Sequence, residues 1–355
     1  MNTTSVQTRT ASGDENQTRA WRRLPPLAKG AVWFGGMAAL VLAAGLSVAA
    51  GASNLSLHTV WQTLMGHRPG SIEEQIVWGL RIPRTLCAIL TGSSFAVAGA
   101  IMQGMTRNPL ADAGLLGLNA GAGLALAICF ALAPGLSYLN LTGCGFAGAA
   151  MGAGLVFGIG SLSPRGLTPV RLTLAGAAVS TLFTALSEAV AIHFQVGQDL
   201  AFWYAGGIAG ARWLQVKLLF PWVIAALTGA LLMARSVTLL SLGDDVAAGL
   251  GQRTGWVKMA CALIVLVLAG GAVSVVGSVS FVGLIIPHIA RRLVGVDYRQ
   301  IIPASALLGS LLMLLADVAA RMVHPPYETP VGALIALIGV PFFILLIRRG
   351  GKRFE

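Results

Sequence analysis

Three arginines draw the eye in a chain that is 56% apolar and only 10% charged. Arg81 and Arg84 flank the Ile82-Pro83 pair, and Arg321 follows Asp317 by four residues. A guanidinium is a planar fork that grips a carboxylate with two parallel hydrogen bonds. These positions therefore predict carboxylate pairing, snorkelling to lipid headgroups or, for Arg321, an i, i+4 pair with Asp317. Glu188 lies in an apolar run, where an unpaired carboxylate is costly, so it predicts a watery path or a hydrogen bond to a neighbouring helix, with His193 one turn farther on. His288 has no second ligand nearby. Cys87, Cys129, Cys144 and Cys261 all sit in apolar runs without metal-ligand spacing and read as small buried hydrophobes. The chain has no clustered His and Asp set for an embedded enzyme and no Gly-x-x-x-x-Gly-Lys-Ser/Thr phosphate loop. Active transport would need a motor on another polypeptide or an ion gradient.

Long apolar runs must position these groups. An ordinary soluble domain is about 25% charged, whereas this one is 10% charged with a mean hydropathy of +0.79. A hydrocarbon core about 30 Å thick takes roughly 20 apolar residues per helix, and the runs do not alternate as barrel strands do. The reading is an all-α polytopic membrane protein of about ten helices in one bundle. The spans are expected near Ala31 to Gly51, Thr85 to Met105, Gly114 to Pro134, Thr142 to Leu162, Leu172 to Phe194, Leu214 to Ala234, Trp256 to Val276, Gly277 to Ile289, Ile302 to Met322 and Pro330 to Ile347. The run from Trp256 to Ile289 is too long for one span and short for two, and charge parity decides it. With ten crossings, 18 of the 24 Lys and Arg residues fall on the side of the N-terminus, which makes both termini cytoplasmic. The net charge of +11 is thus mostly topological, and no soluble domain offers a nucleic-acid-binding face. Residues 1–30 are expected to form a basic cytoplasmic tail, solvated or touching anionic lipid. Residues 31–351 form the membrane domain.

Glycine and alanine recur at four-residue spacing around Gly92, Ala96 and Ala100, and around Gly143, Ala147 and Met151-Gly152, predicting close helix contacts in lipid. The loop at about 239–255 contains Leu242-Gly243-Asp244-Asp245-Val246-Ala247-Ala248-Gly249-Leu250-Gly251. It predicts a short cytoplasmic amphipathic helix bounded by glycines, with Val246, Ala247 and Leu250 on one face. Arg107-Asn108-Pro109-Leu110-Ala111-Asp112 breaks a helix at Pro109, and Asn108 is placed to cap the next segment. Pro287 should bend or end its helix and free carbonyls for His288 or Arg291 to satisfy.

Taken in order, Arg81-x-Pro83-Arg84, Met102-Gln103-Gly104, Arg107 to Asp112, Gly114 to Gly117, Phe281 to Arg291, Ala316-Asp317 to Arg321, Tyr327 to Gly332 and Gly339 to Phe343 resemble the permease subunits of ABC importers for ferric siderophores, haem and vitamin B12. The likeness covers about residues 55 to 350. It implies that Arg81, Arg84 and Arg321 dock acidic residues of a periplasmic or lipid-anchored substrate-binding protein. It implies that Asn108, Pro109 and Leu110 narrow the inner mouth of the pathway, with Gln103 and Glu188 along it. The facing half of that gate falls at Pro169 and Val170, where relatives carry small polar residues. The loop from Leu242 to Gly251 would couple to a cytoplasmic ABC ATPase dimer that binds ATP and Mg, this chain itself binding no cofactor. A second permease, identical or similar, completes the channel in the bacterial plasma membrane. The expected cargo is an iron(III)-siderophore chelate; haem or vitamin B12, and an ion-coupled secondary transporter, remain as alternatives.

Overall fold

The computed structural model describes residues 26–50, 57–66, 70–161, 168–324 and 327–351, so most of the expected basic tail lies outside the described residues. Every element is helical among them. α1 is Pro26–Ala49, α2 is Leu57–Leu64 and α3 is Ile72–Ile76, which runs through a π turn at Val77–Arg81 into α4, Ile82–Thr106. A 3-10 turn at Ala113–Leu116 leads to α5, Leu118–Leu132, then α6, Tyr138–Ser161, and α7, Pro169–His193. α8 is Gly197–Ala205, α9 Trp213–Leu242, α10 Asp244–Gly249 and α11 Thr254–Val265, which continues through a second π turn into α12, Gly271–Val276. α13, Val282–Val294, α14, Tyr298–Val323, and α15, Val331–Gly351, complete the bundle. Seven of the described helical stretches are long and apolar enough to cross a membrane, and Leu118–Leu132 and Val331–Leu346 are shorter apolar helices.

The second span starts well before its expected Thr85. Helix is continuous from Ile72 to Thr106, and Pro83 does not open it. Proline lacks the N–H that would bond four residues back, and the π turn just upstream shifts the register, with the Ile82 N–H reaching Val77 O.

The expected span from Gly277 to Ile289 takes a different form. Residues 277–281 are non-helical and α13 has 13 residues. A 13-residue helix rises only about 20 Å, short of a core about 30 Å thick. Five fully extended residues reach at most ~18 Å, so the non-helical stretch would have to supply the rest of a crossing. The joints carry positive φ at Gly277 (75°), Phe281 (70°) and Gly295 (94°). Such backbone survives at membrane depth only where protein surrounds it, and Gly277, Val279 and Val282 are buried.

The helix ends sort as ten crossings require. Trp213 Nε1 donates to Trp78 O at 2.7 Å, Tyr138 Oη to Val275 O at 2.6 Å, and Gly207 N to Val276 O at 2.8 Å, all at the end assigned outside. At the other end, where Lys and Arg concentrate, Tyr298 N donates to Thr238 Oγ1 at 3.0 Å and Lys258 pairs with Asp244 at 2.7 Å.

α4 is the hub, nearly all of it buried. A Cβ on Gly92 would strike the backbone of Gly309 and one on Gly99 the backbone of Gly283, so α4 meets α14 and α13 backbone to backbone. In lipid, where neighbouring helices gain no hydrophobic drive, close packing of this kind holds them together. On α6 the contact stripe meets expectation only at Gly152. Gly148 and Gly152 abut Gly121 and Gly117, whereas Gly143, Ala147 and Met151 are exposed.

Candidate functional site

The outer arginines converge. Arg84 Nε donates to both oxygens of Asp317, at 3.0 and 3.1 Å, its NH2 lies 2.9 Å from Oδ1, and its NH1 meets Glu328 Oε1 at 2.6 Å. Arg321 takes the other side of Asp317 through its NH2 at 2.8 Å, the i, i+4 pair expected, and bonds Ser47 Oγ, Ser47 O and Ala50 O. Arg81 NH1 donates to Val48 O at 2.7 Å and Ala49 O at 2.6 Å. Arg81 and Arg321 thus cap the last carbonyls of α1, which have no partner within the helix, and place positive charge at its negative end. Asp317 is fully buried, and Arg81 and Arg84 are 6% and 8% exposed. None of the three guanidiniums is presented bare to the outside, as simple docking contacts would be.

Gln103 was expected along the pathway, and it is instead a buried structural joint. Pro287 sits inside α13, so the carbonyl of Gly283 four residues earlier has no helical donor. Gln103 Nε2 donates to that oxygen at 2.9 Å, and Gln103 Oε1 accepts from Arg291. Two distant motifs are therefore one arrangement, and neither His288 nor Arg291 fills the carbonyl as expected. The signal was in the sequence, because an internal proline demands a replacement donor. His288 Nε2 is buried and has no partner; its ring lies edge-on to Phe342 at 5.9 Å.

At the inner end α4 stops at Arg107, in left-handed conformation (φ 53°). Asn108 Oδ1 accepts from Leu110 N at 2.9 Å and Ala111 N donates to Asn108 O at 3.1 Å, so Asn108 and Pro109 build a tight turn. Asn108 does not cap the next segment; Asp112 does, accepting from Ala113 N at 2.7 Å. Its burial pushes the Asp112 carboxyl up from the usual carboxylate range, against that amide bond. Pro109 and Leu110 are exposed. Pro169 opens α7, where its missing N–H costs nothing, and shares a cleft with Met105, Phe157, Leu172 and Lys258. Val170, beside it, is 69% exposed. Glu188 lies on the exposed face of α7 with Leu174, Leu182 and Ile192, and His193 is exposed too.

α10 forms the expected short helix between α9 and α11. Gly243 (φ 132°) turns into it and Gly251 (φ 81°) turns out, with Gly251 N bonded to Ala248 O and Gln252 N to Ala247 O, the paired bonds of a Schellman cap. Its faces differ from expectation. Ala247 is fully buried at the root, while Leu242, Val246 and Leu250 stand out, 62%, 48% and 65% exposed. The Lys258–Asp244 pair and a bond from Gln252 Nε2 to Ser236 O at 3.1 Å brace this knob against α11 and α9.

The chain thus carries a buried ionic cluster at one end, an apolar knob at the other and a polar turn at the end of the hub helix, and residues 39–349 match the FecCD transport family. The chain belongs to that family. It is 54% identical over 318 residues, 90% of this chain and 83% of the relative, to the iron(3+)-hydroxamate import system permease protein FhuB of Bacillus subtilis (strain 168). It is 41% identical over 313 residues, 88% of this chain and 94% of the relative, to the iron-uptake system permease protein FeuB of the same organism. A solved metal-chelate type ABC transporter in an inward-facing conformation superposes with a TM-score of 0.79 at 28% identity, covering 89% of this chain and 98% of the other. FecCD chains are membrane permease subunits, and ATP hydrolysis belongs to a separate chain.

Proposed function

We propose that this chain imports an iron(III)-siderophore chelate, of hydroxamate type, across the bacterial inner membrane as one of two permease subunits driven by a cytoplasmic ATPase dimer. The observation that carries the reading is the 54% identity to an iron(3+)-hydroxamate permease along nine-tenths of the chain. The second permease is another copy of this chain or a similar one, and a periplasmic or lipid-anchored binding protein delivers the cargo.

The parts have separate tasks. Leu242, Val246 and Leu250 insert into a groove of the ATPase subunit, which binds ATP and Mg, and the braces at Asp244 and Gln252 pass its motion to α11 and α9. Asn108, Pro109 and Leu110 border the inner mouth, with Pro169 and Val170 at the start of α7 as the facing edge. Glu188 supplies a polar point on the exposed face of α7, suited to a watery path between two permeases. Arg84 and its neighbours receive acidic groups of the binding protein.

The test is uptake of radiolabelled iron as a hydroxamate chelate, as haem iron and, in parallel, of labelled cobalamin, in cells lacking this chain and in cells complemented with it. Selective loss and recovery of hydroxamate iron is expected. Unchanged iron uptake, or loss confined to haem or cobalamin, overturns the cargo.

A further inference from the structure

Among the described residues, the two acids of the outer ionic cluster are of different kinds. Asp317 is fully buried and bound on both sides, by Arg84 and by Arg321. Glu328 pairs with Arg84 at 2.6 Å, and its side chain is 42% exposed. It rides on the connection from α14 to α15, next to Tyr327, which is 70% exposed. Glu328 also stands, with Arg84, Trp203 and Gly206, on the wall of a cavity of about 270 Å³ that opens at the outer end. The NH1 edge of Arg84 thus points at open space, and Glu328 is the group in front of it.

We propose that Glu328 is an exchangeable internal stand-in for a carboxylate of the substrate-binding protein. This rests on the docking reading above and adds a competitor to it. With no binding protein present, Glu328 satisfies the outer edge of Arg84. On docking, an acidic side chain of the partner enters the cavity and takes that edge. Glu328 then turns out to water, and the Tyr327–Pro330 segment is released. Asp317 keeps Arg84 and Arg321 in place throughout, so the fork is already oriented when the partner arrives. The exchange explains how an arginine that is 8% exposed serves as a docking group. It also keeps an uncompensated cation from facing the outside in the idle importer, where any acidic protein or anionic headgroup would compete for it. The partner's group has to be acidic, because it replaces the Glu328 carboxylate on the Arg84 guanidinium.

A competitor that holds the site nine-tenths of the time weakens apparent affinity about tenfold. The experiment uses the complete importer, both permeases with the ATPase dimer, in nanodiscs, and measures the Kd of its cognate binding protein by fluorescence for wild type, Glu328→Gln and Arg84→Gln. A dye on Tyr327→Cys follows the segment. Glu328→Gln is expected to tighten binding on the order of tenfold, Arg84→Gln to weaken it, and docking to change the Tyr327 dye signal. If Glu328→Gln leaves Kd unchanged or weakens it while Arg84→Gln weakens binding, the stand-in role is overturned and the docking reading survives. If Arg84→Gln leaves Kd unchanged, docking at Arg84 fails and the exchange fails with it. Should Glu328→Gln assemble poorly, the dye decides: a signal unmoved by saturating binding protein overturns the release of the segment.

Discussion

Asp317→Asn should be among the most damaging isosteric changes in this protein. The native carboxylate takes three contacts from Arg84, at 2.9 to 3.1 Å, and one from Arg321 at 2.8 Å, with no exposure to solvent. Asparagine keeps the shape, removes the charge and turns one acceptor into a donor aimed at a guanidinium. Breaking a buried ion pair by removing one partner costs about 3–5 kcal/mol, because the surviving charge stays buried. Here two cations survive, and only Arg84 retains a second acid. Glu328→Gln removes a charge from the same guanidinium at a half-exposed site, where such pairs contribute about 0–1 kcal/mol. The assay is equilibrium unfolding of purified protein in mixed micelles, comparing Asp317→Asn, Glu328→Gln and the triple change Arg84→Met, Asp317→Leu, Arg321→Met. The triple change should recover much of the loss, since an apolar replacement of a whole buried ionic group is often near neutral. A loss below about 1 kcal/mol for Asp317→Asn, or an equal loss for Glu328→Gln, refutes the reasoning that one acid is structural and the other replaceable.

Three further outcomes are expected. Gln103→Leu should cost about 1–3 kcal/mol by leaving the Gly283 carbonyl without a donor and taking one acceptor from Arg291, measured in the same unfolding assay, and adding Pro287→Ala should return part of it by restoring a backbone donor. Gly99→Leu should prevent α4 from seating on Gly283, since even a Cβ there meets backbone atoms; gel filtration of a fluorescent fusion should show loss of the folded peak, and a normal peak would contradict the contact. Val246→Asp with Leu250→Asp should leave the permease folded and abolish ATPase co-purification and iron uptake, because both side chains stand exposed, at 48% and 65%; retained co-purification would move the docking surface elsewhere.

Much of the architecture was legible in the residues. Helical spans follow from run length, and parity of Lys and Arg assigned Arg291 and Arg292 to the same end as Thr238, whose hydroxyl takes the Tyr298 N–H just beyond them. The short helix α10 was visible because Gly243 and Gly251 bracket it. Which of its residues face outward was not, since a six-residue helix has too few turns for periodicity to choose between Ala247 and its neighbours. Long-range pairings were the least legible. Nothing local to Arg84 names Glu328 as its partner 244 positions later, and the bond of Gln103 to Gly283 spans 180. The expected start of the second span failed for another reason: the π turn converts what should be a proline break into continuous helix.

Pro287 and Gln103 also bear on how this protein can change over generations. A proline in a helix is ordinarily a lesion, and here its damage is repaired by an amide on a different helix. Once both are present, the glutamine is not free to drift alone. Losing Gln103 exposes the defect, and losing Pro287 leaves the amide with a redundant task but no injury. Descent should therefore run in one order: lineages that shed the pair lose the proline first and the glutamine afterwards, and sequences carrying the proline without an amide or equivalent donor at position 103 should be rare.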